Sequence, residues 1–419
     1  MHYRNKGTAL LYEKEEVTAF SFWPNYTRDF MVYWEWLTDV LTSYEGVEQR
    51  RGLRRYPRCT YEYEVFASLE DRAALANTLL VGQTKTTLAI VWTEEMLLPG
   101  RMDSEAADTL AISNRYFTKG SFIVCLLSPS HYEIRQIVDI TNQKVVLDSE
   151  VAWVEGSPLY PAMPARMNKQ QVLDQVTPTY STAIITLNCF PLEVELYALN
   201  PFPVFLNFPV VEEVLDWGRG EKVTADYRVQ LIDNKTGRPA FDVLGGIAEV
   251  SIDTHWFLPS DRLTKFLRFI HYCKGRLRPF WFPTGTQDML PVAISEKGEL
   301  VVTDAGFYSS GGVNTGRKFL RIETTCGVFY LKIAQVFYSK ITGREFITLY
   351  NEEGNEYTSK KGSTPDTTPY IPLPFSLLEI SMVSFLVLAR LDVDRIEIAY
   401  KTPTYATSLL PIRTLINEL

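Results

Sequence analysis

The hydrophobic and polar positions of this chain follow one order of elements twice. Residues 61–65 alternate like a strand, an amphipathic stretch starts at Ser68, and an apolar strand follows at 87–92. Residues 248–252 alternate in the same way and precede a longer amphipathic stretch that starts at Ser260. Alternation of period two indicates strands, and period 3.6 indicates helices. The pattern therefore predicts a repeated unit of strand, helix and further strands.

Two short markers align the repeats. Asp71-Arg72 and Asp261-Arg262 lie 190 residues apart, each near the start of an amphipathic stretch. Farther along, the Tyr-Pro-Ala-Met-Pro sequence at 160–164 is matched to Tyr-Ile-Pro-Leu-Pro at 370–374. A duplicated unit would give one chain two equivalent surfaces.

The two amphipathic stretches have helix start and stop signals. Ser68 is a candidate N-cap and Gly82 a candidate end of the first helix. The second helix is predicted at 260–274, with Gly275 after it. Its apolar residues recur at helical spacing, which predicts one stripe against a sheet: Leu263, Phe266, Leu267, Ile270 and Cys273.

The rest of the chain consists of short apolar runs between turn signals, which is typical of β-sandwiches and barrels. We expect a mainly β fold with few helices, built from two duplicated β-barrel or sandwich units, each with a flanking helix. The predicted boundaries are an N-terminal arm at 1–18, a first unit at 19–198, a second unit at 199–405 and a C-terminal tail at 406–419.

Composition narrows the class of protein. The 419 residues carry a net charge of −8, which argues against nucleic-acid binding, and 13% are aromatic, which suits strand-rich packing. The five cysteines are scattered, so we expect no disulfide framework, and Cys125 and Cys326 read as buried strand residues. We find neither a signal peptide nor an apolar run long enough to span a bilayer, and expect a soluble protein.

The sequence offers only weak evidence for catalytic or metal-binding residues. None of the four histidines pairs with a carboxylate or cysteine at motif spacing, and His271 is expected to pack, half-exposed, on the second helix. Asp392 and Asp394 could bind a cation or a sugar, but alternate carboxylates more often mark a solvated strand face. We therefore expect no enzyme activity, no cofactor and no metal.

One segment is strongly basic. It contains five arginines within nine residues: Arg50, Arg51, Arg54, Arg55 and Arg58. Three interpretations stay open. The segment could be a solvated loop, a contact with an acidic neighbour in an assembly or, least favoured because the chain is acidic, a nucleic-acid contact.

Several stretches resemble minor tail proteins of long-tailed bacteriophages (siphophages). The sequence from Val40 to Arg51, followed by residues 58–63, is similar to the opening of those proteins. Residues 266–270 and the later Gly-Arg-Leu-Arg-Pro-Phe-Trp-Phe-Pro at 275–283 resemble their helix and the strand after it. The closing residues 394–398 and Thr402-Pro403 fit as well.

The resemblance implies a structural protein of the tail tip, at or near the distal tail ring, with a fold similar to the tail tube and no catalytic residues. We expect a homo-oligomeric ring of three or six copies that contacts the tail tube, hub or other tail-tip proteins. Its location would be the virion, after assembly in the host cytoplasm. One alternative is a carbohydrate-binding or receptor-binding module using the loops at 309–317 and 356–369. The other is a glycan hydrolase, which needs two carboxylates in one cleft.

Overall fold

We describe a computed structural model of the chain. It describes residues 17–43, 46–82, 87–102, 106–108, 116–140, 144–190, 200–213, 216–227, 229–243, 247–350 and 373–415. Strands hold 54% of the described residues and helices 11%, so the expected mainly β fold with few helices is confirmed. The described strands do not close into a barrel.

Within its described residues, the first half contains one α-helix, α1 (Leu69–Val81). Its described strands are β1 (Thr18–Phe20), β2 (Phe30–Glu35), β3 (Thr38–Thr42), β4 (Glu48–Gly52), β5 (Arg58–Ser68), β6 (Thr87–Ile90), β7 (Met96–Leu97), β8 (Ala106–Asp108), β9 (Phe122–Ser128), β10 (His131–Ile140), β11 (Lys144–Leu147), β12 (Pro158–Met167), β13 (Val172–Thr177) and β14 (Tyr180–Cys189).

The second half contains α2 (Ser260–Cys273) and short 3₁₀ turns at Trp217–Arg219, Gly312–Thr315 and Leu377–Glu379. Its described strands are β15 (Val204–Phe205), β16 (Phe208–Pro209), β17 (Lys222–Asp226), β18 (Val229–Ile232), β19 (Ala240–Val243), β20 (Glu249–Pro259), β21 (Phe280–Pro283), β22 (Pro291–Ile294), β23 (Leu300–Thr303), β24 (Phe319–Thr324), β25 (Gly327–Ser339), β26 (Arg344–Tyr350), β27 (Ile380–Leu391), β28 (Arg395–Thr402) and β29 (Tyr405–Thr414).

Strand pairings in the first half recur in the same chain order in the second. The long strand before each helix pairs with the last strand of its half, β5 with β14 and β20 with β29. β12 bonds to β6, β9 and β14, and β27 bonds to β21, β24 and β29. The pairs β9·β10, β10·β11 and β8·β11 correspond to β24·β25, β25·β26 and β23·β26.

These pairings bear on two alignments made from the sequence. Ser68 ends β5 and pairs with Tyr180, and Pro259 ends β20 and pairs with Tyr405. Ser68 and Pro259 lie 191 residues apart, one more than the distance between the two Asp-Arg markers. Residues 160–164 lie in β12, whose pairing partners occupy the same chain order as those of β27 at Ile380–Leu391. Residues 370–372 lie outside the described part of the chain.

Both helices pack on the strands that precede them. The predicted stripe of α2 is confirmed, because Leu263, Phe266, Leu267, Ile270 and Cys273 are all buried, together with Phe269. α1 buries less, since Leu75 is fully buried but Leu80 is exposed. Ser68 precedes α1 as predicted but makes no capping hydrogen bond through its side chain.

The main apolar core is shared by the two halves. It includes Trp34 and Tyr61 from the first half with Phe266 and Ile398 from the second. Each half also has a smaller separate core, around Ile123 in the first and around Leu320 in the second. The expected buried position of Cys125 is confirmed, but Cys326 is exposed in the tight turn between β24 and β25.

Residues 406–414, expected as part of a C-terminal tail, lie in β29 and pair with β20. In the arm expected at 1–18, only residues 17 and 18 are described, and Thr18 begins β1. The boundaries of the two units at 19–198 and 199–405 stay predictions.

Candidate functional site

The candidate site is the junction where the first half of the chain bonds to the second. β2 pairs with β5 on one edge and with β28 on the other, from Phe30 opposite Tyr400 to Glu35 opposite Arg395. Phe30 and Trp34 alternate inward on β2 and are buried. This strand therefore carries one continuous sheet from the first half into the second.

His271 of α2 lies beneath this junction. Its ring is 4.8 Å from the ring of Trp34 and 5.3 Å from that of Trp36, both in edge-to-face geometry. Burial, with repulsion from Lys274, lowers the pKa of His271 to about 3. The neutral imidazole acts here as a packing group, as the sequence indicated.

The hairpin β3–β4 lies against the second half through a buried ion pair. Both carboxylate oxygens of Glu48 accept hydrogen bonds from Arg390, each at 2.7 Å, and the Arg390 side chain is only 3% exposed. Burial raises the pKa of Glu48, but the hydrogen bonds and charge of Arg390 outweigh it, and the net pKa is lowered. Bidentate pairs of this kind fix orientation as well as charge.

A chain of charges continues from this pair into the second half. Arg390 also donates to Asp392 at 2.7 Å, Asp392 accepts from Arg413, and Arg413 contacts Glu249 at 2.9 Å. Asp392 is therefore part of a structural network that crosses the sheet, which argues against its use as a cation or sugar ligand.

Asp394 fixes the approach of the hairpin. It accepts hydrogen bonds from the backbone N–H of Thr38 at 2.8 Å and of Arg276 at 3.0 Å. Gly275 lies beside it with a φ of +66°, and a Cβ there would stand 2.3 Å from the Asp394 carboxylate and 3.1 Å from the Cβ of Trp36. Any other residue at this position must displace the Asp394 carboxylate and adopt a positive φ that L side chains disfavour.

The structure distributes the five arginines of the basic segment over four local environments. Arg50 and Arg51 lie on β4, and Arg50 contacts Glu48 at 3.5 Å. Arg54 donates to the carboxylate of Glu35 at 2.9 Å, and Arg55 stacks over the ring of Tyr56. Arg58 begins β5 and is exposed. Part of the segment thus serves the internal junction, while an external assembly contact stays a prediction.

The loop expected at 309–317 contains a 3₁₀ turn flanked by glycines with positive φ. Phe307, just before it, is buried, and Tyr308 is exposed and stacks on Tyr338 with ring centroids 6.2 Å apart. The second loop, at 356–369, lies outside the described residues.

Sequence reasoning missed one identical motif. Thr-Pro-Thr-Tyr occurs at 177–180, between β13 and β14, and again at 402–405, between β28 and β29. In both copies the backbone N–H of the second threonine donates to the hydroxyl of the first, at 3.3 Å. The carbonyl of Thr179 accepts from the N–H of Leu69, and that of Thr404 accepts from the hydroxyl of Ser260. A search for identical tetrapeptides would have found it.

Within the described residues, no group of three or more His, Cys, Asp or Glu side chains could hold a metal ion. None of the described helices is both long and apolar enough to cross a membrane. Comparison of the sequence with protein-family models and with curated proteins found no significant match.

Proposed function

We propose that this protein is a structural component of a siphophage tail tip, a distal tail ring or hub-adjacent minor tail protein that links the tail tube to the host-recognition apparatus. The observation that carries the proposal is the repeated set of strand pairings, in which two sets of strands with a helix each are joined by β2·β28. The sequence resemblance at residues 40–51 and 275–283 supports the same class.

The two halves are, in this proposal, two copies of one tube-like unit. Their helices follow corresponding strands, and identical Thr-Pro-Thr-Tyr turns underlie the two helix starts. Such a chain can form a ring of three copies with six similar units, or of six copies with an outer tier. Closed cyclic symmetry is the usual outcome for homo-oligomers.

The test is negative-stain imaging of the purified protein, alone and with tail-tube protein. A ring with a central hole that stacks on the tube supports the proposal. A monomer under both conditions contradicts it. Immunogold labelling of intact phage particles gives a further test. Gold along the head, or no gold on the particle, would also contradict a place in the tail tip.

One observation favours the alternative of a carbohydrate-binding or receptor-binding module. The exposed Tyr308, stacked on the half-buried Tyr338, presents aromatic surface next to the 309–317 loop. A glycan array would separate the two functions, because loss of a specific glycan signal in Tyr308→Ala would favour the binding module.

A further inference from the structure

Among the described strands, β17 and β13 each have one unpaired edge, as several shorter strands also do. β17 bonds only to β20, and β13 bonds only to β14. All five residues of β17 are exposed, and so are five of the six residues of β13. An exposed strand edge with apolar side chains is a template for pairing with another chain.

These two edges correspond to the two strands that join inside the chain. β2 places Val32 opposite Tyr61 of β5, and β17 places Val223 opposite Ile252 of β20. Each residue of the second pair lies 191 positions after the corresponding residue of the first pair. β13 precedes the first Thr-Pro-Thr-Tyr turn, and β28 precedes the second. Thus β17 is the counterpart of β2, and β13 is the counterpart of β28.

We propose that β17 of one chain pairs antiparallel with β13 of a second copy of this chain, as β2 pairs with β28 within one chain. In the pairing within one chain, Val32 lies opposite Ile398. The same register between two chains places their counterparts, Val223 and Leu173, opposite each other. The same register places Lys222 opposite Asp174. The inference rests on the proposed function, because it specifies the contact through which the ring closes.

Burial supports this register. Val223 is 62% exposed, whereas its counterpart Val32 is 5% exposed because β28 covers it. Leu173 is half-buried against the main core, whereas its counterpart Ile398 is fully buried. Pairing of the two edges would therefore remove from water the same apolar positions that the internal junction already buries.

Charge supports the same register. Lys222 and Asp174 carry opposite charges, and directly opposed residues of opposite charge stabilise an antiparallel pair. A shift by one residue would place Lys222 opposite the apolar Leu173 or the uncharged Gln175, and Val223 and Leu173 would no longer share a face. The register transferred from the internal junction is thus favoured over its neighbours by both the apolar and the charged positions.

The hairpin β18–β19 adds a second contact. Its exposed apolar side chains include Leu231, Phe241 and Val243. The corresponding hairpin β3–β4 lies on the second half through Glu48 and Arg390. By the same geometry, β18–β19 would lie on the first half of the next chain and cover these side chains.

The test is disulfide trapping between chains. In a Cys326→Ser background, which removes the exposed cysteine, Val223→Cys and Leu173→Cys are combined and oxidised mildly. We expect an inter-chain disulfide and a covalent ring that runs as a multimer on non-reducing gels. The control combines Val223→Cys with Val172→Cys, an exposed residue on the opposite face of β13, and should give little product.

A charge swap keeps the test independent of cysteine packing. Lys222→Glu should weaken assembly at least several-fold in light scattering, Asp174→Lys should do the same, and the double variant should restore it. Rings in the microscope without the Val223–Leu173 disulfide and without charge rescue would overturn this contact but leave the proposed function standing. The disulfide in open filaments would support the contact and contradict the ring. A monomer that forms no disulfide would contradict both.

Discussion

Arg390 binds both carboxylate oxygens of Glu48 at 2.7 Å, although the two residues lie 342 positions apart in the chain. One partner comes from the hairpin of the first half and the other from the sheet of the second. Because both side chains are buried, each needs the other to offset the loss of water. This ion pair therefore couples the folding of the two halves.

Removal of one partner should destabilise the protein strongly. We expect Arg390→Met to lower the free energy of unfolding by about 3–5 kcal/mol, since it leaves Glu48 buried without its main cation. Thermal melts and urea titrations measure the change. The matched control is Lys119→Met, because the Lys119–Asp139 pair is exposed on both sides and should contribute less than about 1 kcal/mol. Equal effects of the two variants would contradict the structural role of Arg390.

The buried stripe of α2 gives a second prediction. Leu267→Ala should cost about 2–5 kcal/mol, because the side chain is 1% exposed and its removal leaves a cavity. The same substitution at Leu80 of α1, which is 80% exposed, should change the melting temperature little. A near-zero change at Leu267 would mean that this face of α2 is open to solvent.

His271 predicts how stability depends on pH. The pKa of His271 is lowered to about 3 in the folded state, whereas the pKa of a histidine in the unfolded chain is about 6.5. The unfolded chain therefore binds more protons between these values, so His271 contributes stability that is present above about pH 6.5 and is lost as the pH falls toward 3. We expect His271→Gln to flatten the pH dependence of the urea midpoint between pH 6.5 and 5. An unchanged pH dependence in His271→Gln would contradict this role of the buried imidazole.

The close packing around Gly275 leads us to expect that a single added methyl group destabilises the protein. Gly275→Ala should destabilise the protein by more than about 2 kcal/mol, because the new Cβ would collide with Asp394 and Trp36 in addition to the strain of a positive φ. Gly120→Ala provides the control, since Gly120 also has a positive φ, +88°, but has open space around it. Calorimetry on both variants isolates the collision from the backbone strain.

Local pattern was sufficient for the helices and for the β class. The spacing of Leu263, Phe266 and Ile270 identified a buried face because period 3.6 is a property of the helix itself. Cys326 was misjudged because an apolar neighbourhood in sequence does not distinguish the end of a strand from the tight turn after it.

The candidate site depended on contacts that no local pattern encodes. Asp392 and Asp394 read as alternate carboxylates of a solvated strand, yet one contacts Arg390 and the other holds the hairpin at Thr38. The match of residues 160–164 to 370–374 stays a prediction, because residues 370–372 lie outside the described part of the chain. That β12 and β27 pair with corresponding strands is visible only in the three-dimensional structure.

The central claim is that two strand-paired units in one chain form part of a closed ring. Native mass spectrometry of the purified protein tests it most directly, because the chain mass of 48.0 kDa makes each oligomer distinct. We expect three copies, in which six units alternate between internal and inter-chain junctions, or six copies with an outer tier. A monomer, or a ladder of masses without a preferred closed species, would contradict the account.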